Sequence, residues 1–255
     1  MNCLDEPSIK GGKILIFGLM ENMTWKEVEE AVKQTKTVII PFGSTEEHGY
    51  HLPLSTDYLI AYEIGKMVAE KVKVLVAPPI TYGVCRTTAS FPGTITISLE
   101  TIKNLTKEIC KSFCMHGFRN LILLPGHLGS AQLTGLELAA QETIQMYPNL
   151  NIVLVRIPYI LQKYLDVVED KEDLHAGEVE TSLMLVLKPD LVKKDKTVSE
   201  HPKFPEHFIV SEPRKYMKSG VMGSAEKASK EKGEALLKIL VDEIISLVKK
   251  LEQKI

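Results

Sequence analysis

Short apolar runs alternate with longer stretches of mixed polarity along most of the chain. Four runs are rich in Val, Ile and Leu: 37–41 (TVIIP), 72–77 (VKVLVA), 120–124 (NLILL) and 151–157 (NIVLVRI). A strand with one face in water alternates apolar and polar residues. A nearly continuous apolar run of this length is instead expected for a strand covered on both faces. Between the runs, apolar positions recur at helical spacing. In 57–70, Leu59, Ile60, Ile64, Met67 and Val68 fall near one face, and 99–116 and 130–147 are similar. The stretch 24–33 opens with Thr24 three residues before Glu27, a capping-box pattern. Gly117 stands where a helix-ending glycine belongs. A further helix is predicted over 178–187. A last one runs to about 254, with Gly233 interrupting its start. Strands that alternate with helices imply an α/β fold with a mainly parallel sheet and helices on both faces.

The stretch 190–218 departs from this rhythm, with Pro202, Pro205 and Pro213 in mixed polarity. It reads as a long excursion within one unit. With no internal repeat and no low-complexity segment, 1–255 is expected to be a single domain, although a prior of about 150 residues per domain also allows two. Apolar residues at 44% and charged residues at 25% are ordinary for a globular protein. The net charge of −2 provides no field to attract nucleic acid or anionic lipid. The N-terminal segment 1–22 carries Asp5 and Glu6 and only a short apolar run at 14–20, which does not suit a signal peptide. No run reaches the roughly 18 apolar residues of a membrane span. Cys3, Cys85, Cys110 and Cys114 form no CxxC element and no disulfide framework. Cys110 and Cys114 share a helix face and read as small core residues. A reducing, cytoplasmic setting is expected.

The densest polar cluster is GSTEEHGYHLPLSTD over 43–57, directly after a predicted buried strand. In open α/β sheets ligands sit beyond the carboxyl ends of strands, so the cluster is well placed for a site. Glu46 and His48, two apart, project to the same side of an extended loop. Asp57 begins the next helix, where a carboxylate also serves as an N-terminal cap. A second piece, PGHLGS over 125–130, follows another predicted strand and brings His127 to the same sheet edge. A third, HAGEVETS over 175–182, joins His175 to Glu178 and Glu180. Each piece alone has an ordinary explanation as surface polarity, a structural histidine or a helix cap. Together they bring carboxylate and imidazole donors to one edge. Such donors suit Zn²⁺, Mn²⁺ or Fe²⁺ without choosing among them.

At these residues the chain resembles the creatinine amidohydrolase (creatininase) family. The resemblance begins with the long 43–57 motif and continues through Tyr82-Gly83, the FPGT at 91–94, Gly126-His127 and the 175–182 segment. The tail GVMGSAEKASKEKG over 220–233 is also similar to the family's closing segment. Membership implies a three-layer α/β/α sandwich and two divalent metal ions per subunit. By resemblance, Asp57 bridges the metals, Glu46 and His127 complete one, and His48 holds the other. Glu180 is the best further ligand of the second metal and takes part in catalysis. His175 is the proton donor to the leaving nitrogen, and His51 orients a ligand from behind. A water between two cations loses its proton near neutral pH and becomes the nucleophile. The family also implies a homo-oligomer, commonly a hexamer.

The departures concern substrate. The family's N-G-H-G-G-N loop reads PGHLGS here, so Leu128 adds bulk beside the metal. Creatinine-hydrolysing members place a glutamate ligand where this chain has Gly129, which gives Glu180 more weight. They also cover substrate with tryptophans, and the sole tryptophan here is Trp25, far upstream. A polar serine and histidine of the family appear as Cys85 and Thr88. Cys85, Arg86 and Leu128 are therefore expected to line the substrate pocket, and Arg86 could bind a carboxylate or phosphate. The expected function is metal-dependent hydrolysis of a small-molecule amide other than creatinine. Three alternatives stay open. One is a formamide hydrolase of flavin or deazaflavin precursor synthesis. Another is a peptidase-like enzyme acting on a peptide-derived cofactor. The third is a catalytically weak metal-binding or assembly protein. A two-metal phosphoesterase is disfavoured, because no cluster of arginines awaits a phosphate.

Overall fold

The computed structural model describes residues 18–162 and 166–253. The expectations for Cys3 and for the segment before residue 18 lie outside the described residues. The helices are α1 (Trp25–Gln34), α2 (Thr56–Ala69), α3 (Leu99–Met115), α4 (Ser130–Met146), α5 (Ile157–Leu161), α6 (Glu178–Leu187) and α7 (Lys230–Glu252). The strands are β1 (Gly18–Leu19), β2 (Thr37–Phe42), β3 (Leu75–Val76), β4 (Asn120–Pro125), β5 (Asn151–Leu154), β6 (Ser199–Glu200) and β7 (Gly223–Ser224). Strands β1 to β5 form one parallel sheet in the order β1-β3-β2-β4-β5. Helices cover both faces, as a three-layer α/β/α sandwich requires.

The central strand β2 shows why the sequence carries no polar alternation. Val38, Ile40 and Phe42 face an apolar cluster built with α1, α3 and α4, including Ala31, Ile102 and Leu136. Ile39 faces the opposite cluster, built with α2, α5, α6 and α7, including Ile64, Met184 and Leu240. Both sides of the pleat are dry, so every position from Val38 to Phe42 is apolar. The capping box of α1 is present: Glu27 N–H donates to Thr24 Oγ1 at 3.4 Å, and Thr24 N–H donates to Glu27 Oε2 at 2.6 Å. Gly117 follows α3 with φ +92°, the left-handed turn expected of it. Cys110 lies in the first cluster and Cys114 packs against it, as small core residues would.

Four expectations need correction. The predicted strand 151–157 ends at Leu154, and Ile157 opens α5 with Pro158 in its first turn. β5 is also only half-buried rather than covered on both faces, because it is an edge strand. Gly233 does not interrupt the last helix. It lies inside α7, where a Cβ would sit 2.0 Å from the Ser182 carbonyl oxygen of α6, so it permits close helix packing. The predicted strand 72–77 is shorter, at Leu75–Val76. The excursion 190–218 carries β6, which returns to pair antiparallel with β7. Among the described residues, no helix is long and apolar enough to cross a membrane.

The topology also places the site. From β2 the chain moves to β3 on one side, and then crosses back to β4 on the other. The order therefore reverses between β2 and β4, where Phe42 pairs with Pro125 at the carboxyl ends. Loops diverge at such a switch point and leave a crevice. The two loops leaving it are those that begin at Gly43 and Gly126.

Candidate metal centre

All six residues singled out as ligands or acid converge above the β2–β4 crevice. Asp57 is at the centre. Its Oδ1 lies 3.0 Å from His48 Nε2, and its Oδ2 lies 3.0 Å from His127 Nδ1. Glu46 Oε2 approaches the same His127 nitrogen at 2.8 Å. Glu180 Oε2 lies 3.6 Å from His48 Nε2. Asp57 does not cap its helix: α2 begins after Ser55 with no side-chain cap bond, and the Asp57 carboxylate turns into the crevice. Two groups could each gather around a cation: Glu46, Cys85 and His127, and His48, His175 and Glu180.

Backbone carbonyls orient the imidazoles. His48 Nδ1 faces Glu46 O at 3.1 Å, His127 Nε2 faces Val84 O at 3.1 Å, and His175 Nε2 faces Glu47 O at 2.9 Å. A ring that donates one N–H to a carbonyl has its tautomer set, and its other nitrogen is available to a metal. In His48 and His127 that other nitrogen faces carboxylates. This arrangement fits a divalent cation between each imidazole and its carboxylates. Without one, protons must do that work. Burial alone would lower the His48 pKa, but Asp57 and Glu180 raise it to about 10. Burial also opposes charge on His127, yet Glu46 and Asp57 hold it well above its ordinary value. Asp57 is held well below its usual range by His48 and His127, despite its burial. Several buried carboxylates need positive charge nearby. Imidazoles are the cationic groups within reach of the three central carboxylates.

His175 enters by a separate route. Its backbone pairs with Met222 in both directions, at 2.8 and 3.0 Å, so the tail segment 220–224 pins it over the crevice. Its ring centroid is 4.4 Å from that of His48. Burial and the His48 charge push its pKa down, but Glu47, Glu46 and Glu180 outweigh them and raise it. Gly220 makes the tail's approach possible. It sits at φ +83°, and a Cβ there would fall 1.9 Å from Glu47 Oε2. His51 lies behind the ligands, with Nε2 2.8 Å from Thr181 Oγ1 on α6. It ties the 43–57 loop to the helix that carries Glu180. Burial and the neighbouring His48 lower its pKa to about 4, so it is neutral.

A cavity of about 220 Å³ opens above the crevice. Cys85, Arg86 and Leu128 all line it, together with Thr88, Leu174 and Met222. Arg86 is at the exposed rim, with Nη2 3.4 Å from Ser130 Oγ. Trp25 is 72% exposed on α1 and takes no part in the cavity. Gly129 also lines it, and a Cβ there would meet His127 Nε2 at 2.7 Å, so a side chain at this position must displace the imidazole.

Sequence reasoning missed Ser44, whose Oγ donates to Asp57 Oδ2 at 2.5 Å and lies 3.1 Å from Glu46 Oε2. It also missed the hydroxyl of Thr88, which donates to Glu46 Oε1. Glu47, buried against His175, was passed over as well. Ser44 is legible in the sequence, since it shares the period-2 side of Glu46 and His48. Glu47 is not, because its partner arrives from residue 175.

A family model described as creatinine amidohydrolase matches residues 21–248. Creatinine amidohydrolase of Pseudomonas putida is 32% identical, over 89% of this chain and 94% of that protein. A 3-dehydro-scyllo-inosose hydrolase of Thermotoga maritima is 29% identical, over 92% and 83% respectively. A mycofactocin precursor peptide peptidase of Mycobacterium ulcerans is 29% identical, over 83% and 84%. Solved structures of creatininase in a Zn–Zn form and with Mn each superpose with a TM-score of 0.83 at 27% identity, covering 91% of this chain and 97% of theirs.

Proposed function

We propose, because the chain belongs to the creatinine amidohydrolase family, that it hydrolyses a C–N bond in a small amide other than creatinine. Family members are metal-dependent hydrolases acting on amide bonds, and this chain is one of them. Two divalent cations per subunit (zinc, manganese or iron) would be held with Asp57 between them. Glu46 and His127 serve one, and His48 and Glu180 the other. When bound, such cations acidify a water and polarise the scissile carbonyl. The observation that carries this reading is the placement of Asp57, each of whose oxygens faces a different imidazole.

The chain's own groups do the rest. Ser44 donates to the Asp57 carboxylate and fixes its plane. The Glu47 carbonyl holds one nitrogen of His175, which leaves the other to give a proton to the departing nitrogen. Glu180 takes the place of the ligand that Gly129 cannot supply. Arg86 at the rim favours a substrate that carries a carboxylate or phosphate. The lining of the cavity, with Leu128 and Cys85 and without a tryptophan, argues against creatinine. We read 1–255 as a single domain in a cytoplasmic homo-oligomer, hexameric by resemblance. Phe208 and Ile209 on the excursion are exposed apolar residues suited to such an interface.

The test has two parts. Metal analysis of the purified protein should find close to two ions per chain, and Asp57→Ala should lose both. Fewer than one ion in the wild type, with no loss on substitution, would favour an assembly protein instead. The loaded enzyme should then be offered creatinine, a formylamino-pyrimidine phosphate and a short peptide. Turnover of creatinine at an ordinary enzymatic rate would overturn the specificity argument. Formate release would identify a formamide hydrolase.

A further inference from the structure

We infer that the Cys85 thiolate is a ligand of the cation held at Glu46 and His127, which makes that half of the centre a sulfur-containing, zinc-selective site. The inference rests on the metal centre proposed above and adds a donor of a different class.

Among the described residues, the two fully buried cysteines have different surroundings. Cys110 lies in the apolar cluster beneath α3 and α4. Cys85 is just as buried, at 1% exposure, but belongs to neither apolar cluster. It lines the cavity, and its sulfur lies within 4.8 Å of donor atoms of both Glu46 and His127. A small apolar filler has no reason to sit among carboxylates and imidazoles. A soft donor completing a ligand set does.

The backbone holds the thiol in that position. The Val84–Cys85 peptide supplies the carbonyl that faces His127 Nε2 at 3.1 Å. The group that sets the His127 tautomer is therefore one covalent link from Cys85. Val84 N–H donates to Gln132 Oε1 at 3.1 Å, and Cys85 N–H donates to Thr96 Oγ1 at 2.9 Å. The carbonyl's own peptide group and the one before it are both anchored, which restrains Cys85 relative to His127. Glu46 is restrained too, by Ser44 on one oxygen and Thr88 on the other. The three donors are pre-positioned, as a metal site requires.

On coordination the S–H bond is exchanged for an S–metal bond, and the proton leaves to solvent with no change of oxidation state. Thiolate favours zinc or cobalt over manganese, which prefers oxygen donors. The two halves of the centre would then differ. One offers sulfur, imidazole and carboxylate, and the other only imidazole and carboxylate.

The experiment is spectroscopic and does not depend on a substrate. The full chain is stripped of metal and loaded with Co²⁺, and separately with Zn²⁺. Wild type should show visible cobalt d–d bands and a near-ultraviolet thiolate-to-cobalt charge-transfer band. Its zinc X-ray absorption should contain a sulfur shell at about 2.3 Å. Cys85→Ser should lose the charge-transfer band and the sulfur shell but keep the d–d bands. Its zinc affinity relative to manganese should fall at least about 10-fold, the lower bound for losing even an outer partner of a metal site. If the d–d bands are present in wild type without any sulfur signal, the inference is overturned and the metal centre stands. The same holds if the sulfur signal persists in Cys85→Ser. If wild type binds neither ion, both readings fall. Should Cys85→Ser fold poorly, the wild-type sulfur shell and Cys85→Ala decide the matter.

Discussion

Gly126→Ala isolates one link between the fold and the site. Gly126 precedes His127 and packs against the start of α2, where a Cβ would lie 2.0 Å from the Asp57 carbonyl oxygen. Cβ contacts below 3.0 Å are essentially never seen, and the obstacle here is backbone rather than a flexible side chain. The loop must therefore retreat from α2 by about 1 Å or more. Gly126 N–H also donates to Phe42 O at 2.7 Å, so part of the retreat strains the end of β2. His127 moves with Gly126, and its contacts of 3.0 Å to Asp57 and 2.8 Å to Glu46 open together. Overpacking of this kind costs roughly 1–3 kcal/mol or more. For a chain of this size that is a fall in Tm of roughly 2–4 °C per kcal/mol. A displacement of about 1 Å at a catalytic site costs on the order of 10²-fold in rate.

Thermal unfolding and metal analysis of the same preparation measure both effects. Gly65→Ala is the control. Its Cβ, in the middle of α2, would meet methyl groups of flexible side chains rather than backbone, Val76 at 3.1 Å and Ile39 at 3.6 Å, and alanine gains helix propensity of about 1 kcal/mol there. The control should stay near wild type in Tm and metal content. Gly126→Ala should lose at least the cation at Glu46 and His127. If Gly126→Ala keeps a full metal complement and a wild-type Tm, the close approach is not what positions His127.

Three further outcomes follow from particular residues. Gly129→Glu, which restores the creatininase-type glutamate, should lower metal content and leave creatinine unhydrolysed, because its Cβ pushes on His127; a gain of creatinine turnover would contradict this. Lys232→Met should cost about 2–3 kcal/mol in a urea melt, since it leaves Glu178 buried without its ammonium partner. The figure lies below the usual range because Glu169 and Asp170 still donate N–H to that carboxylate. Adding Glu178→Gln should recover much of the loss, and a single variant as stable as wild type would remove the argument. Asp173, whose carboxyl group accepts from the first N–H groups of α6, has its pKa raised by burial to about 6. Its neutral form is therefore favoured by folding, and its contribution is full below about pH 4 and lost as pH rises through 6. Asp173→Asn should gain about 1–3 kcal/mol relative to wild type on going from pH 4 to pH 7. A difference between the two proteins that does not change with pH would refute the assignment.

The sequence by itself determined the layered α/β plan and half of the site. Runs such as the LILL of 121–124 are legible because a strand covered on both faces is nearly continuous in apolar residues. Glu46, His48 and His127 are legible because they lie in loops directly after such strands, where a parallel sheet collects its ligands, and Asp57 because it opens the helix that the first of these loops leads into. The end of β5 was not, since IVLVRI satisfies strand and helix equally until Pro158 and the sheet edge decide. Tertiary structure alone brought His175 to the crevice, by pairing it with Met222, and set Glu47 against it from 128 residues away. It also set the Cys85 sulfur, which the sequence placed only in the substrate pocket, within 4.8 Å of donor atoms of Glu46 and His127. Cys110 is equally buried but lies among apolar side chains. Periodicity reports which side of an element is dry. It carries no information on which distant loop folds over it, because that depends on the path of the whole chain.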